Sequence, residues 1–215
     1  MIAAAGWSLV AASSLILGAA IAMRFDLSQR VIGLIMGFGA GVLIAALSVD
    51  LAAEAFERAS GTVLALGLAA GGATFFIGDL LLDRLGADQR KSSGGEQAEG
   101  GALAIVLGII LDGIPESAAI GVALVEGEGI GIAFVAAVFL SNLPESLSAT
   151  SGLRQAGRSA AWIYGLWSLV AAVCAIAAML AFGLLDDSRQ SLIAFILAFA
   201  AGAILAMLAD TMMPE

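Results

Sequence analysis

Long runs of apolar residues, separated by short polar segments, set the pattern of this sequence along its whole length. Seven such runs cover residues 2–23, 31–56, 61–82, 102–125, 129–150, 159–183 and 190–213. A transmembrane helix needs about 20 consecutive, mostly apolar residues, and each run meets that length. The strands of a membrane barrel are shorter and alternate in polarity, which these runs do not do. The pattern therefore predicts an all-α polytopic membrane protein with a single transmembrane domain over residues 1–215.

The composition agrees with a lipid bilayer as the surroundings of the chain. Hydrophobic residues make up 61% and charged residues 13% of the sequence, whereas soluble domains are about half apolar and about a quarter charged. The net charge of −9 argues against a nucleic-acid partner. No basic residue precedes the first run, so we interpret it as a retained span and not as a signal peptide. Small residues fill the runs, which favours close helix packing and permits a homodimer.

Basic residues are concentrated on one side of the predicted membrane. The polar segments after the first, third and fifth runs hold seven of them, and the other side holds two. The positive-inside rule puts the richer side in the cytoplasm and the N-terminus outside. The polar stretch 83–101 is then a flexible cytoplasmic loop. Four acids on the outer side either attract cations or are ordinary solvated loop tips; they are Glu126, Glu128, Asp186 and Asp187.

Two pairs of similar segments indicate an internal repeat. Residues 38–54 and 199–215, in the second and seventh runs, are identical at six of seventeen aligned positions. The segments LDGIPES (111–117) and LSNLPES (140–146) lie in the fourth and fifth runs. The members of each pair cross the membrane in opposite directions, as in transporters built from inverted repeats. Chance similarity between Ala-, Leu- and Gly-rich helices is the alternative. A full repeat predicts an eighth span, which a longer protein would carry after residue 215.

Seven carboxylates interrupt the apolar runs, and no Lys or Arg lies within them. They are Asp50, Glu54, Asp79, Asp112, Glu116, Glu145 and Asp210. Ionisable residues inside a membrane are costly and are taken to mark function by default. Because the sequence offers these acids no cationic partner at the same depth, they must be protonated, reach water or bind a cation.

The two Pro-Glu segments, residues 111–117 and 140–146, have the spacing of a cation site. Asp112 and Glu116 are four residues apart, so they share one face of a helix. Ser141 and Glu145 have the same spacing in the next span, and Asn142 lies one residue round from that face. Two such helices facing each other would surround a cation with oxygen ligands.

Each proline adds a backbone oxygen to these side chains. Pro115 has no N–H to offer the carbonyl of Leu111, and Pro144 has none for the carbonyl of Leu140. The proline therefore opens the helix at the point where the glutamate supplies charge. In the alternative interpretation, the prolines only kink the helices and the acids are protonated in a polar core.

At these residues the sequence resembles the ZIP (Zrt/Irt-like) family of divalent metal transporters, as a divergent member of bacterial type. The family carries His-Asn-x-Pro-Glu-Gly in its fourth span and x-x-x-Pro-Glu-Gly in its fifth, where this chain has Asp112-Gly-Ile-Pro-Glu116-Ser and Ser141-Asn142-Leu-Pro-Glu145-Ser. The resemblance implies a 3+2+3 helix arrangement in the bacterial inner membrane. It also implies transport of zinc, or of manganese, iron or cadmium, into the cytoplasm, with Glu116, Asn142 and Glu145 as ligands.

Departures from the family pattern modify these expectations. Asp112 replaces the histidine of the fourth span, Gly113 replaces its asparagine, and Ser141 takes the first ligand position of the fifth span. The sixth run contains no acid, so we expect one metal site where many relatives have two. A site made only of oxygens should prefer zinc less than one with imidazole. We expect Asp112, Glu116, Ser141, Asn142 and Glu145 to hold the metal. Weaker candidates line the vestibules: Asp50, Glu54, Asp210 and Glu215.

Two other functions remain open at this point. One is a proton-coupled carrier of a small organic solute, with the acids as proton relays. The other is a metal-binding sensor or scaffold without transport, which the missing acid in the sixth run favours. No enzymatic activity is predicted. The sequence has no ATP-binding motif, so a metal or ion gradient would drive transport. We predict that Cys174, the single cysteine, serves only in packing.

Overall fold

A computed structural model describes residues 1–87, 90, 93, 102–125, 132–185 and 190–213. Within these ranges the chain forms seven long helices and no strand. The helices are α1 (Ile2–Arg24), α2 (Gln29–Arg58), α3 (Gly61–Ala87), α4 (Ala102–Ala123), α5 (Ile132–Gln155), α6 (Ala160–Leu185) and α7 (Gln190–Met212). Each is long and apolar enough to cross a membrane. The predicted all-α polytopic membrane protein with seven spans is therefore confirmed.

Local signals in the sequence explain where several helices begin and end. The side chain of Ser28 caps α2 by accepting a hydrogen bond from the backbone N–H of Val31. Gly86 near the end of α3 and Gly157 after α5 have φ angles of 94° and 81°, a conformation that glycine adopts at little cost. Both glycines turn the chain away from the helix axis at the same end of the bundle.

Three helices contain a π-helical turn at an acidic residue, and the one in α3 covers Asp83–Ala87. In α2 the turn covers Leu47–Ala52 and includes Asp50. In α7 it covers Leu208–Met212 and includes Asp210. Such turns are rare and frequently lie at functional sites.

Helix packing joins segments that are distant in sequence. The closest neighbours are α3 with α7, α1 with both α5 and α6, α4 with α6 and α7, and α2 with α5. Glycines permit these contacts, because a Cβ at Gly71 or Gly202 would collide with backbone of the partner helix in the α3–α7 pair. Gly121 plays the same role where α4 meets α6 at Ala178. Small residues at such contacts let membrane helices pack backbone to backbone.

The helix ends define two ends of the bundle. We call the end where α1, α3, α5 and α7 finish the basic end, and the other the opposite end. At the basic end Arg154 forms an ion pair with Asp26. At the opposite end Arg58 donates to the Gln190 side chain at 2.8 Å. The predicted outer acids and Glu215 fall outside the described residues: Glu126, Glu128, Asp186, Asp187 and Glu215.

The polar stretch 83–101, which the sequence predicts to be a flexible loop, lies mostly outside the described residues; the structure describes residues 83–87, 90 and 93. Helical hydrogen bonding of α3 extends to Ala87, with a kink at Gly86, and so passes the predicted end of the span at residue 82. Arg90 and Ser93 are buried, with 1% and 5% of their surface exposed. The Gln155 side chain donates to the Ser93 carbonyl at 2.7 Å. This part of the chain therefore packs against the basic end.

Candidate cation site

The acids of the first Pro-Glu segment lie on one buried face of α4. Asp112 and Glu116 are each 1% exposed. The helix continues through Pro115 to Ala123. Residues at intervals of three and four share a helix face, so Ala119 and Ala123 extend the same face towards the opposite end. The face that carries the two acids therefore runs from Asp112 towards the opposite end.

The second Pro-Glu segment is equally buried on α5. Ser141, Asn142 and Glu145 are 0%, 6% and 4% exposed. The Ser141 hydroxyl donates to the carbonyl of Val138 at 3.0 Å. A hydroxyl that donates its proton still has lone pairs for a cation, so this bond is compatible with a ligand role.

Both glutamates lie near one residue of α6, whereas α4 and α5 make only limited contact with each other. Both Glu116 and Glu145 lie close enough to the Cys174 thiol to act on it electrostatically, and the Ser117 side chain hydrogen-bonds with that thiol. The Cys174 sulfur also donates to the carbonyl of Gly113 at 3.6 Å. The two predicted carboxylate ligands therefore both lie near Cys174, the residue predicted to serve only in packing.

Glycines explain how neighbouring helices approach the two Pro-Glu segments. A Cβ at Gly113 would lie 2.9 Å from the Cys174 sulfur, so the space of a side chain at position 113 is occupied by α6. A Cβ at Gly39 of α2 would lie 2.6 Å from the ring of Pro144. Each Pro-Glu segment is thus packed closely by a different helix.

The expectation that the acids of the apolar runs have no cationic partner is wrong for Asp112 and Asp79, which pair with Arg90, and for Glu54, which pairs with Arg58. The Arg90 guanidinium donates from Nε to Asp112 Oδ2 and from Nη2 to Asp112 Oδ1, both at 2.9 Å. Nη2 also donates to Asp79, and Nη1 donates to Asp83 at 3.3 Å. The sequence pattern missed this partner because Arg90 lies outside every apolar run and reaches the acids only when the chain turns back after α3.

Electrostatics account for the stability of this buried cation. Burial alone would lower the pKa of the Arg90 guanidinium, but the charges and hydrogen bonds of Asp112 and Asp79 raise it above its ordinary value. The bidentate geometry with Asp112 is the arrangement in which an arginine–carboxylate pair is strongest. Arg90 is therefore charged, and it occupies both oxygens of the predicted ligand Asp112.

Two signals in the sequence point to this arrangement in retrospect. Asp79 and Asp83 are four residues apart on α3, so they present two carboxylates on one face. A Cβ at Gly108, one turn before Asp112, would lie 2.5 Å from Cδ and 2.9 Å from Nε of Arg90. Glycine at position 108 leaves the space that the arginine side chain fills.

A group of three carboxylates also lies at the basic end. Asp79, Asp83 and Asp210 have side-chain oxygens within 4.8 Å of one another, and we call them the aspartate cluster. In the described part of the chain they are the only three His, Cys, Asp or Glu residues grouped this closely. The vestibule candidate Asp210 therefore lies beside Arg90 and not beside Glu116.

An acidic cavity of about 270 Å³ opens at the opposite end. We call it the Glu54 cavity; its lining includes Asp50, Glu54, Glu57, Ala119 and Ala123. The weaker candidates Asp50 and Glu54 thus lie on its wall, and Glu54 accepts from Arg58 Nη2 at 2.5 Å. Ala119 lies one turn from Glu116 on α4, so the cavity wall comes within one helical turn of that buried glutamate.

Comparison with models of known protein families and with curated proteins finds no match for this chain. The ZIP resemblance stays a prediction that rests on the residues of the two Pro-Glu segments.

Proposed function

We propose that the protein carries divalent metal cations across the membrane as a ZIP-type secondary transporter. The observation that carries this proposal is the burial of Glu116 and Glu145 on apolar helices, both near Cys174, together with an acidic cavity lined by Ala119 one turn from Glu116. Carboxylates at such depth are costly unless a cation or proton compensates them. A cation that is transported supplies this compensation at each step of its passage.

The path that we propose follows the buried face of α4. A metal ion would first meet the Glu54 cavity, whose carboxylates raise the local cation concentration. It would then pass Ala119 to reach Glu116 and Glu145. Asp112 and the aspartate cluster lie further on, at the basic end. Carboxylates at all three stages favour a cation over an anion or a neutral solute.

The ligands in this proposal are oxygen atoms of two helices. Glu116 and Glu145 supply charge, and Ser141 and Asn142 supply neutral oxygens from α5. Asp112 joins them only when Arg90 releases it. Oxygen ligands suit manganese and magnesium better than imidazole does, so we propose a divalent-metal specificity broader than zinc alone.

The inverted repeat is part of the proposal, and helix packing supports it. If α1, α2 and α4 correspond to α6, α7 and α5, the contact of α1 with α5 is equivalent to that of α6 with α4. The contact of α2 with α5 is likewise equivalent to that of α7 with α4, and all four contacts are present. The aligned segments 38–54 and 199–215 pair Leu47 with Leu208, and a π-helical turn begins at each.

An exposed face of α2 supports the proposal of an eighth helix. On α7, α3 packs against the face that includes Phe199 and Gly202. The aligned residues of α2 are Phe38, which is 61% exposed, and Gly41. No described atom lies within 4 Å of a Cβ built at Gly41. In a 3+2+3 arrangement, an eighth helix would cover this face as α3 covers α7. The homodimer predicted from small residues would place a second copy there.

Orientation follows the positive-inside rule in this proposal. The basic end holds Arg24, Arg30, Arg84 and Arg154, and the opposite end holds Arg58. We propose that the basic end faces the cytoplasm of a bacterial cell and that metal moves inward from the Glu54 cavity.

The test is metal flux into proteoliposomes that contain the protein, with zinc, manganese, iron(II) and cadmium compared. We expect saturable flux that is lost in Glu116→Ala and in Glu145→Ala. Metal binding without flux would instead favour the sensor or scaffold, a second candidate that the pairing of Asp112 with Arg90 supports. Proton-dependent uptake of an organic solute without metal would contradict both.

A further inference from the structure

The Arg90 guanidinium lies across the route between Glu116 and the basic end. It is held by Asp112 of α4 and by Asp79 and Asp83 of α3. Asp112 lies one turn closer to the basic end than Glu116, on the same face of α4. A cation that leaves Glu116 along this face therefore meets Asp112 and its bound guanidinium next.

Arg90 and Ser93 together contact three helices at the basic end. The Arg90 backbone N–H donates to the Ala87 carbonyl at 3.0 Å, which holds Arg90 beside the end of α3. Ser93 is held by Gln155 at the end of α5. The guanidinium itself contacts α4. These contacts fix the arginine at the place where α3, α4 and α5 come together.

The Arg90 guanidinium and a divalent metal ion would compete for Asp112. Both oxygens of Asp112 accept hydrogen bonds from Arg90, and these are the atoms that a metal would need. Two cations at this distance also repel each other, and little water screens them at a residue that is 1% exposed. Arg90 bound in this way therefore opposes the binding of a metal ion at Asp112.

We propose that Arg90 is a tethered cation that closes the basic end and competes with the transported cation for Asp112. This inference rests on the proposed function. In the closed arrangement Arg90 neutralises Asp112 and blocks the route. When Arg90 moves away, Asp112 and the aspartate cluster form an acidic exit that accepts the metal. Arg90 is thus a positioning residue, since it acts on the metal through Asp112.

The experiment measures thiol accessibility, which does not require transport. Cys174→Ser removes the single native cysteine, and Ser148→Cys places a reporter three residues after Glu145, towards the basic end. Ser148 is 0% exposed. A charged, membrane-impermeant methanethiosulfonate reagent is added on the side of the basic end, and the modification rate of the reporter is compared among Arg90 variants in proteoliposomes.

We expect slow modification with Arg90 present and a rise of about tenfold or more in Arg90→Gln, since the buried ion pair is lost. Arg90→Lys keeps the charge and should restore most of the protection. Arg154→Gln is the matched control, because Arg154 pairs with Asp26 at the same end but outside the route. Its modification rate should equal that of the parent protein.

Two results would overturn the inference: equal rates in Arg90→Gln and the parent, or an equal rise in Arg154→Gln. If Arg90→Gln fails to fold, the double variant Arg90→Gln/Asp112→Asn removes the unpaired acid, and the same rise is expected. A second readout is manganese binding to the purified protein, which should tighten about tenfold in Arg90→Gln and not in the double variant. Failure of metal flux in the unmodified protein would contradict the proposed function and leave the accessibility result interpretable.

Discussion

The two Pro-Glu segments share a seven-residue frame but differ in how their first ligand position is satisfied. In α4 that position is Asp112, which binds Arg90 from outside the helix through two hydrogen bonds. In α5 it is Ser141, which donates to the Val138 carbonyl within its own helix. The glutamates that follow, Glu116 and Glu145, are buried to nearly the same degree.

This difference shows that the charge of the side chain at the first ligand position determines whether that position needs a partner from outside its helix. A buried aspartate must find a cation, because its desolvation is otherwise uncompensated. A buried serine is satisfied within its own helix and needs no cation from outside it. The α4 segment is therefore tied to Arg90 at the basic end, whereas the α5 segment is fixed by packing against Gly39 of α2 and Gly18 of α1.

We expect the largest loss of metal flux from substitution of the glutamate that the two segments share. Glu116→Gln and Glu145→Gln each remove one of two negative charges that face the proposed cation while keeping side-chain shape. We expect each to reduce metal flux by about 100-fold, at the upper end of losses seen around metal sites. Initial rates of manganese uptake into proteoliposomes measure this. A large loss in only one variant would show that the segments are not equivalent.

The second prediction compares the first ligand positions of the two segments, Asp112 and Ser141. Asp112→Asn leaves Arg90 buried without its bidentate partner and should lower the free energy of unfolding by about 3 kcal/mol. Ser141→Ala removes one neutral hydrogen bond and should cost about 1 kcal/mol. Reversible unfolding in detergent micelles compares the variants. Similar losses would mean that Arg90 contributes little to stability.

A smaller effect tests the packing beside each proline. Gly113→Asn restores the asparagine of the ZIP motif but drives its side chain into Cys174, and overpacking of this kind costs about 1–3 kcal/mol. The added substitution Cys174→Ala should recover much of the loss, since it removes the sulfur 2.9 Å from the added Cβ. Unfolding midpoints of the single and double variants provide the measurement. No recovery would place the collision elsewhere.

The smallest effect concerns metal preference. With oxygen ligands alone, zinc should exceed manganese by less than about tenfold in competitive uptake. Ser141→His introduces an imidazole at the first position of the α5 segment and should raise the zinc preference several-fold. The parent protein and Ser141→Ala are the controls. Strong zinc preference in the parent protein would contradict an all-oxygen site.

The sequence predicted the seven helices and the burial of Glu116 and Glu145, because apolar runs and four-residue spacing are local properties. It did not predict the pairing of Arg90 with Asp112, since that contact spans 22 residues and depends on the direction in which the chain leaves Gly86. The π-helical turn at Asp50 was also missed, since one added residue barely alters hydrophobic periodicity. The approach of Cys174 to both glutamates depends on how α6 packs, which no local pattern records.

Helix packing also determines how this protein can be assembled during synthesis. The first three helices have their principal partners late in the chain: α1 packs on α5 and α6, α2 on α5, and α3 on α7. Translation at about 5–20 residues per second separates the end of α1 from the start of α5 by roughly 5–20 s. The first three helices are therefore inserted into the membrane before their principal partners have been synthesised. The bundle is complete only after the last helices have been inserted.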